Sequence, residues 1–287
     1  MSYLDRIKLC NQYDREQYKA FHIDDHHVGW VKHNYISHLL SWVESAHQDD
    51  STLYLQSEQN TYDSRNQLFA ALVDNLYQQG MIRPPMNEPY PVSIQNRNDV
   101  IALVDRVAAA VFGIRCYGQH MNGYVKEGDQ IKMWIGRRAK DRGVEPGKLD
   151  QLVAGGLPHQ VSLHSNLLKE CWEEAGIPQE LAQRAKAVGT VTYCADSSRG
   201  LKPDTLFNYD LELPQDFVPE CTDGEVEQFY CMPIEEVAEL VRDTEEFKHN
   251  CNLVVIDFLV RHGLINDDDP DYSTIVAGLH PTLPVIG

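Results

Sequence analysis

The segment Lys169-Glu170-Cys171-Trp172-Glu173-Glu174-Ala175-Gly176-Ile177, preceded by Gly155-Gly156, packs three carboxylates into little more than one helical turn. Residues three and four apart share a face of an α-helix, so Glu170, Glu173 and Glu174 form a single acidic patch. Like charges at that spacing repel by a few tenths of a kcal/mol per exposed pair, and a cation among them reverses the sign. Hard oxygen donors of this kind suit Mg²⁺ or Mn²⁺, ions that commonly work together with substrate phosphates. Gly176 supplies a C-terminal stop, because glycine tolerates the left-handed conformation required there. An acidic helix face in an acidic protein also reads as a solvated surface, so the surroundings of the patch matter.

Upstream, Val153-Ala154-Gly155-Gly156-Leu157-Pro158 reads as a strand running into a tight loop, with the acidic helix beginning soon after. On these residues the chain resembles the Nudix hydrolases, whose signature is G-x5-E-x7-R-E-U-x-E-E-x-G-U, where U is aliphatic. Gly155 matches the first position, and Lys169, Glu170, Cys171, Glu173, Glu174, Gly176 and Ile177 align with the block that follows. Two positions depart: Val161 stands where the family has glutamate, and Lys169 where it usually has arginine.

Composition bounds the alternatives. The 287 residues suffice for one large domain or two ordinary ones, and 43% hydrophobic content allows a sizeable core. A net charge of -18 argues against a nucleic-acid backbone or an anionic membrane as main partner. No apolar run approaches the roughly 20 residues needed to span a bilayer, and the start, Met1 to Arg6, lacks the apolar core of a signal peptide. Seven cysteines, odd in number and never spaced C-x-x-C, are expected to be reduced thiols in a cytoplasmic protein.

The pattern along the chain divides near residue 115. Residues 1–115 read as an α+β accessory domain, with a hairpin from Tyr18–His22 and Val28–Lys32 and a helix over 34–46. A strand over 53–55 follows, then a helix capped by Asp63 and ended by Gly80, and another helix over 99–112. Residues 116–287 turn to strands: 118–125 with 131–137, 188–194, 205–213 and 225–232. A helix opened by Pro233 and one capped by Asn250 complete the chain before its tail. For 116–287 the resemblance implies an α/β/α sandwich around a mixed sheet.

The likeness extends to Met133–Arg138, Pro146–Asp150, Thr222–Glu227 and Phe258–Gly263. These look like the branch of the superfamily related to thiamine pyrophosphokinase, whose members carry an N-terminal domain before the Nudix domain. The branch implies hydrolysis of a small-molecule diphosphate, in some members damaged (oxo or oxy) thiamine diphosphate, yielding the monophosphate and inorganic phosphate. Two alternatives are a nucleoside diphosphate derivative such as ADP-ribose or a nucleotide sugar, and a Nudix module that binds without catalysis. A homodimer is compatible with the resemblance.

The resemblance assigns Glu170, Glu173 and Glu174 as metal ligands. Either Glu174 or Glu225, beyond the Asp223-Gly224 turn, serves as general base. Glu225 and Glu227 are expected on one face of a strand. Lys169 is expected to pair with a neighbouring carboxylate, more loosely than arginine would. Arg137, Arg138 and Lys148, in a basic run with Lys132, Lys140 and Arg142, are candidates for phosphate, as are Gly155 and Gly156 in the loop. Adjacent strand residues face opposite ways, so at most one of Arg137 and Arg138 reaches substrate. His26, His27, His159 and His164 are scattered and read as surface residues. Tyr193, Phe207, Tyr209 and Trp172 either pack or line a pocket.

Overall fold

The computed structural model describes residues 1–284, so Val285 to Gly287 of the expected tail lie outside the described residues. Ser2 and Asp5 cap each other reciprocally at the start of α1 (Tyr3–Leu9), a helix too short for its periodicity to register in the sequence. The expected hairpin follows as β1 (Tyr18–Ile23) and β2 (His26–Lys32), with Asp24 left-handed (φ 53°) at the turn. Next comes α2 (His33–Trp42), which stops short of the expected Ala46. β3 (His47–Gln48) pairs with β4 (Thr52–Leu55), and β4 lies parallel to β1, giving the order β2-β1-β4-β3. α3 (Tyr62–Gln78) is capped by Thr61, two residues before the expected Asp63. Thr61 Oγ1 accepts from Ser64 N at 3.2 Å, and Ser64 Oγ accepts from Thr61 N at 3.1 Å.

Residues 99–112 are not a helix. They form β6 (Val100–Asp105), paired antiparallel with β5 (Pro89–Ser93), and then a run of tight turns. Ala102 and Val104 point inward while Ile101 and Leu103 are half-buried, a period-two pattern that overrides the helical propensity of the alanines. Asp105 stops the strand by accepting from Val107 N at 2.9 Å, and Gly113 (φ 58°) closes the turns. The core here is built on Phe21, Phe69 and Phe112, with Phe21 stacked on Phe112 at 5.4 Å.

From residue 117 a second sheet forms around a fork. β7 (Tyr117–Glu127) and β8 (Gln130–Arg138) pair from Gly123 opposite Trp134 outward to the turn, then separate. β9 (Leu149–Gln151) stays on β8 and β10 (Val153–Gly156) stays on β7, filling the gap between them. α4 (Leu163–Ala175), capped by Ser162 and ended by Gly176 (φ 62°), follows β10 as expected. After the short α5 (Gln179–Ala182), β11 (Lys186–Ser197) and β12 (Gly200–Glu212) form a long hairpin, and β12 runs parallel to β7. β13 (Val226–Pro233) adds beyond β8, completing the order β11-β12-β7-β8-β13.

Three helices finish the chain: α6 (Ile234–Asp243), α7 (His249–Arg261) and α8 (Tyr272–Gly278). Lys248, not Asn250, stands at the start of α7, while Asn250 points its amide at the Tyr193 hydroxyl, 3.3 Å away. α4 packs one sheet face through Leu167, Cys171 and Ala175, and α7 packs the other through Val254 and Phe258. The mixed sheet between helices is therefore present. α1 belongs to this half in packing, since Ile7 and Cys10 join the cluster of α6, α7 and α8 rather than the Phe21 core. The seven cysteines are free, four of them buried. No described helix is long and apolar enough to cross a membrane.

Candidate active site

The register of β10 and the phase of α4 bring two of the three glutamates onto the glycine strand. Cys171 and Ala175 face the sheet, so Glu170 and Glu174, each one residue earlier, fall at its edge. A Cβ on Gly155 would lie 2.5 Å from Glu170 Cδ, so the missing side chain is what lets the carboxylate rest on the strand. Glu174 is buried, and its Oε2 accepts from Ala154 N at 2.6 Å. Glu173 is less covered and pairs with Lys169 at 2.7 Å, while Lys169 also reaches Glu170 at 3.4 Å. Lys169 thus does the pairing expected of it.

Burial pushes the Glu174 carboxyl up to about 8, with the Glu170, Asp150 and Glu225 charges adding to the rise. Burial likewise raises Glu170, opposed by Lys169 and assisted by Glu173 and Glu225. Glu225 is therefore part of the same electrostatic neighbourhood. It precedes β13, held by Arg142 Nη1 at 2.5 Å and by its own N–H on Asp223 Oδ1 at 2.9 Å. The expected shared face of Glu225 and Glu227 is lost, because the β13 ladder slips between Val226 and Gln228. Glu227 instead pairs with Lys140 at 3.6 Å.

The three glutamate carboxylates do not converge on a point. Mutual repulsion opposes their approach, while Lys169 bridges Glu170 and Glu173. Among the described residues, the three donors within 4.8 Å of one another are His120, Asp150 and Cys251. These are poor metal ligands here. Asp150 already holds Arg138 Nη1 at 2.8 Å and Lys248 Nζ at 3.2 Å, and two adjacent positive charges oppose a third. The Cys251 thiol donates to Asp150 Oδ1 at 2.7 Å and is pushed well above its ordinary range by burial. His120 shares a 2.6 Å hydrogen bond with Gln151 and is lowered to about 4, by burial first and then by Lys248. The cluster is a satisfied polar network where β7, β9 and α7 meet.

The basic run is largely taken up by its own chain. Arg137 pairs with Glu246 at 3.2 Å and donates to Gly147 O at 2.7 Å, on the side opposite Arg138. Lys148 Nζ donates to the Glu245 carbonyl. Arg142 differs, for its Nε is buried without a partner. The sequence offered one signal for Arg142, its place in the basic run before the glycine loop. Gly156 faces Tyr90 and Arg106 from the N-terminal half, where a Cβ would overlap the Tyr90 hydroxyl. Nothing in the sequence marks that contact. His159 N reinforces it by donating to Pro89 O at 2.8 Å. Trp172 is 56% exposed on the far side of α4, and Tyr193 is buried with its hydroxyl on Asp204 at 2.7 Å.

Known proteins resemble this chain along nearly its whole length. A family model described as Domain of unknown function (DUF4743) matches residues 2–116. Nudix hydrolase 20, chloroplastic, of Arabidopsis thaliana is 40% identical over 283 residues, 94% of this chain and 75% of that protein. Nudix hydrolase 24, chloroplastic, of the same plant is 40% identical over 274 residues, with the same shares covered. Among solved structures, the NUDIX domain of Shewanella oneidensis NrtR complexed with ADP ribose aligns with a TM-score of 0.42 and 14% identity. That alignment covers 53% of this chain and 90% of that one. The chain belongs to the Nudix hydrolase family and is a hydrolase of diphosphate bonds.

Proposed function

We propose that this chain is a Mg²⁺-dependent pyrophosphohydrolase of the branch related to thiamine pyrophosphokinase, with Mn²⁺ able to substitute. Its substrate is a small organic diphosphate, the oxo and oxy forms of thiamine diphosphate, cleaved to the monophosphate and inorganic phosphate. The observation that carries the assignment is the carboxylate set on α4, two of whose members rest on the glycine strand with raised proton affinities. Buried carboxylates under mutual repulsion are a donor set that a hard divalent cation stabilises. Glu170, Glu173 and Glu174 would hold the ion, which when bound neutralises charge building up on the diphosphate.

The remaining chemistry belongs to the chain itself. Water attacks one phosphorus, the bridging P–O bond breaks, and the water proton passes to a Glu225 carboxylate oxygen. Arg142 holds that carboxylate and keeps its unpartnered Nε for a phosphate oxygen. Gly155 gives the Glu170 carboxylate room to rest on the strand, Gly156 admits the Tyr90 hydroxyl, and Lys169 orients Glu173. Arg137, Arg138 and Lys148 brace the loops after β8 instead of binding substrate, since each is already paired. Residues 1–115, apart from α1, which packs with the other half, act as an accessory domain that selects substrate, and 116–287 as the hydrolase domain. Free cysteines throughout support a reducing compartment, which we take to be the cytoplasm.

The test is phosphate release from a panel of oxothiamine, oxythiamine and thiamine diphosphates, ADP-ribose and a nucleotide sugar, with and without Mg²⁺ or Mn²⁺. Metal-dependent release, fastest on the damaged thiamine diphosphates, is expected. Faster turnover of ADP-ribose would move the substrate to the nucleoside class, and no turnover of any compound would overturn the catalytic assignment.

A further inference from the structure

Between the two halves lies a cavity of about 1110 Å³, walled by the segment after α1, Arg83, the loop 143–145, the β11–β12 hairpin and the start of α7. Its volume lies just above the roughly 300–1,000 Å³ typical of small-molecule sites. Two arginines from distant parts of the chain meet there. Arg83, from the N-terminal half, lies across Gly143 so closely that any Cβ at that position would overlap its guanidinium. Arg199, at the turn of the β11–β12 hairpin, donates to Val107 O at 3.2 Å.

The other charged groups of the wall have partners. Asp196 binds Lys32 at 2.9 Å, Glu145 binds His249 at 2.5 Å, Lys202 binds Asp204 at 3.2 Å, and Lys248 binds Asp150 at 3.2 Å. Asp14 accepts from Glu16 N at 3.0 Å. Among the described residues, neither Arg83 nor Arg199 makes an ion pair. A shortage of acids does not explain this, for the chain has 43 of them against 25 lysines and arginines. Arg199 is half-buried, and its proton affinity is lowered by burial first and by the Arg83 and Arg106 charges next. Two unpaired guanidiniums facing one cavity gain most from an oxyanion placed between them, through forked charge-assisted hydrogen bonds.

We propose that this cavity is an anion site in which Arg83 and Arg199 together bind a phosphoryl or carboxylate group, joining the N-terminal half to the β11–β12 hairpin. The site does not depend on the diphosphate reading above. Its ligand has two sources sharing that chemistry: an anionic group on the substrate remote from the scissile bond, or a separate phosphorylated small molecule.

The experiment uses the full chain in EDTA, so that the glutamate site is silent, with inorganic phosphate as probe. Calorimetry and thermal shift should show saturable binding with a rise in Tm. Arg83→Ala and Arg199→Lys should each weaken phosphate binding about tenfold or more, while Glu174→Gln leaves it unchanged. Arg83 is exposed, so its variant folds even if the one at Arg199 does not. Steady-state kinetics on the best diphosphate then assign the source. A raised KM in Arg83→Ala with phosphate competing identifies a group on the substrate, and an unchanged KM with non-competitive phosphate identifies a separate ligand. Absence of phosphate binding, or binding equal in the wild type and both arginine variants, overturns the site.

Discussion

Glu174 sits between two demands. Its side chain is buried beside other acids, yet it accepts from Ala154 N at 2.6 Å and ties α4 to β10. Glutamine keeps the acceptor and removes the charge. Glu174→Gln should therefore lower turnover by about two orders of magnitude or more, the scale of losing a main electrostatic contributor. Its Tm in EDTA should match or exceed that of the wild type. Near-normal turnover would show that the carboxylate has no part in the chemistry. Val161 poses the converse question. It is half-buried, follows the left-handed Gln160 (φ 62°), and fills the position where the family has glutamate. Val161→Glu should keep the fold and modestly raise metal affinity or rate. An unpartnered carboxylate there would cost roughly 1–3 kcal/mol, so Tm with and without Mg²⁺ separates the outcomes. A large loss that Mg²⁺ does not restore would place Val161 in the core. The glutamate spacing, the Gly176 stop and the Lys169 pairing were all legible at this scale, because each depends on residues within one helix.

At the scale of elements, the failures share a cause. Residues 99–112 contain an alanine run that favours a helix locally, but Val100 to Asp105 are claimed by pairing with β5, a contact invisible to local propensity. The expected shared face of Glu225 and Glu227 fell to a ladder slip set by β8. Alternation along β8 itself was legible and divides Arg137 from Arg138. Arg138 is a largely buried partner of Asp150, whereas Arg137 pairs with Glu246 at the surface. Arg138→Ala should cost about 2–3 kcal/mol, moderated by Lys248 remaining on Asp150. Arg137→Ala should stay within about 1 kcal/mol of the wild type. Urea midpoints of the two variants check this, and equal losses would contradict the assignment of Arg138 to the interior. Sequence shows the charges of the basic run but not the acids that pair with Lys132, Arg137, Arg138, Lys140 and Arg142.

For the whole molecule, the sheet fork holds the layers together, and its buried His120 makes stability depend on pH. His120 is lowered to about 4 in the folded state from an ordinary 6.5, so the unfolded chain binds more protons between those values. Its contribution is complete above pH 6.5 and is lost as pH falls through 4, a decline of up to about 3 kcal/mol. Denaturation of the wild type and His120→Gln from pH 7 to 4 should give a steeper loss in the wild type. Parallel curves would mean that His120 protonates freely in the folded state. The contacts between the halves, Tyr90 on Gly156 and Arg83 on Gly143, escaped the sequence because their partners are far apart along the chain. The packing of α1 on the C-terminal helices escaped it for the same reason.

The central claim is that α4 holds the metal. Anomalous diffraction from crystals grown with Mn²⁺ tests it directly. A peak bounded by Glu170, Glu173 and Glu174 beside the glycine strand is the predicted result. A peak at His120, Asp150 and Cys251, or coordinated by any residue before 116, would contradict it.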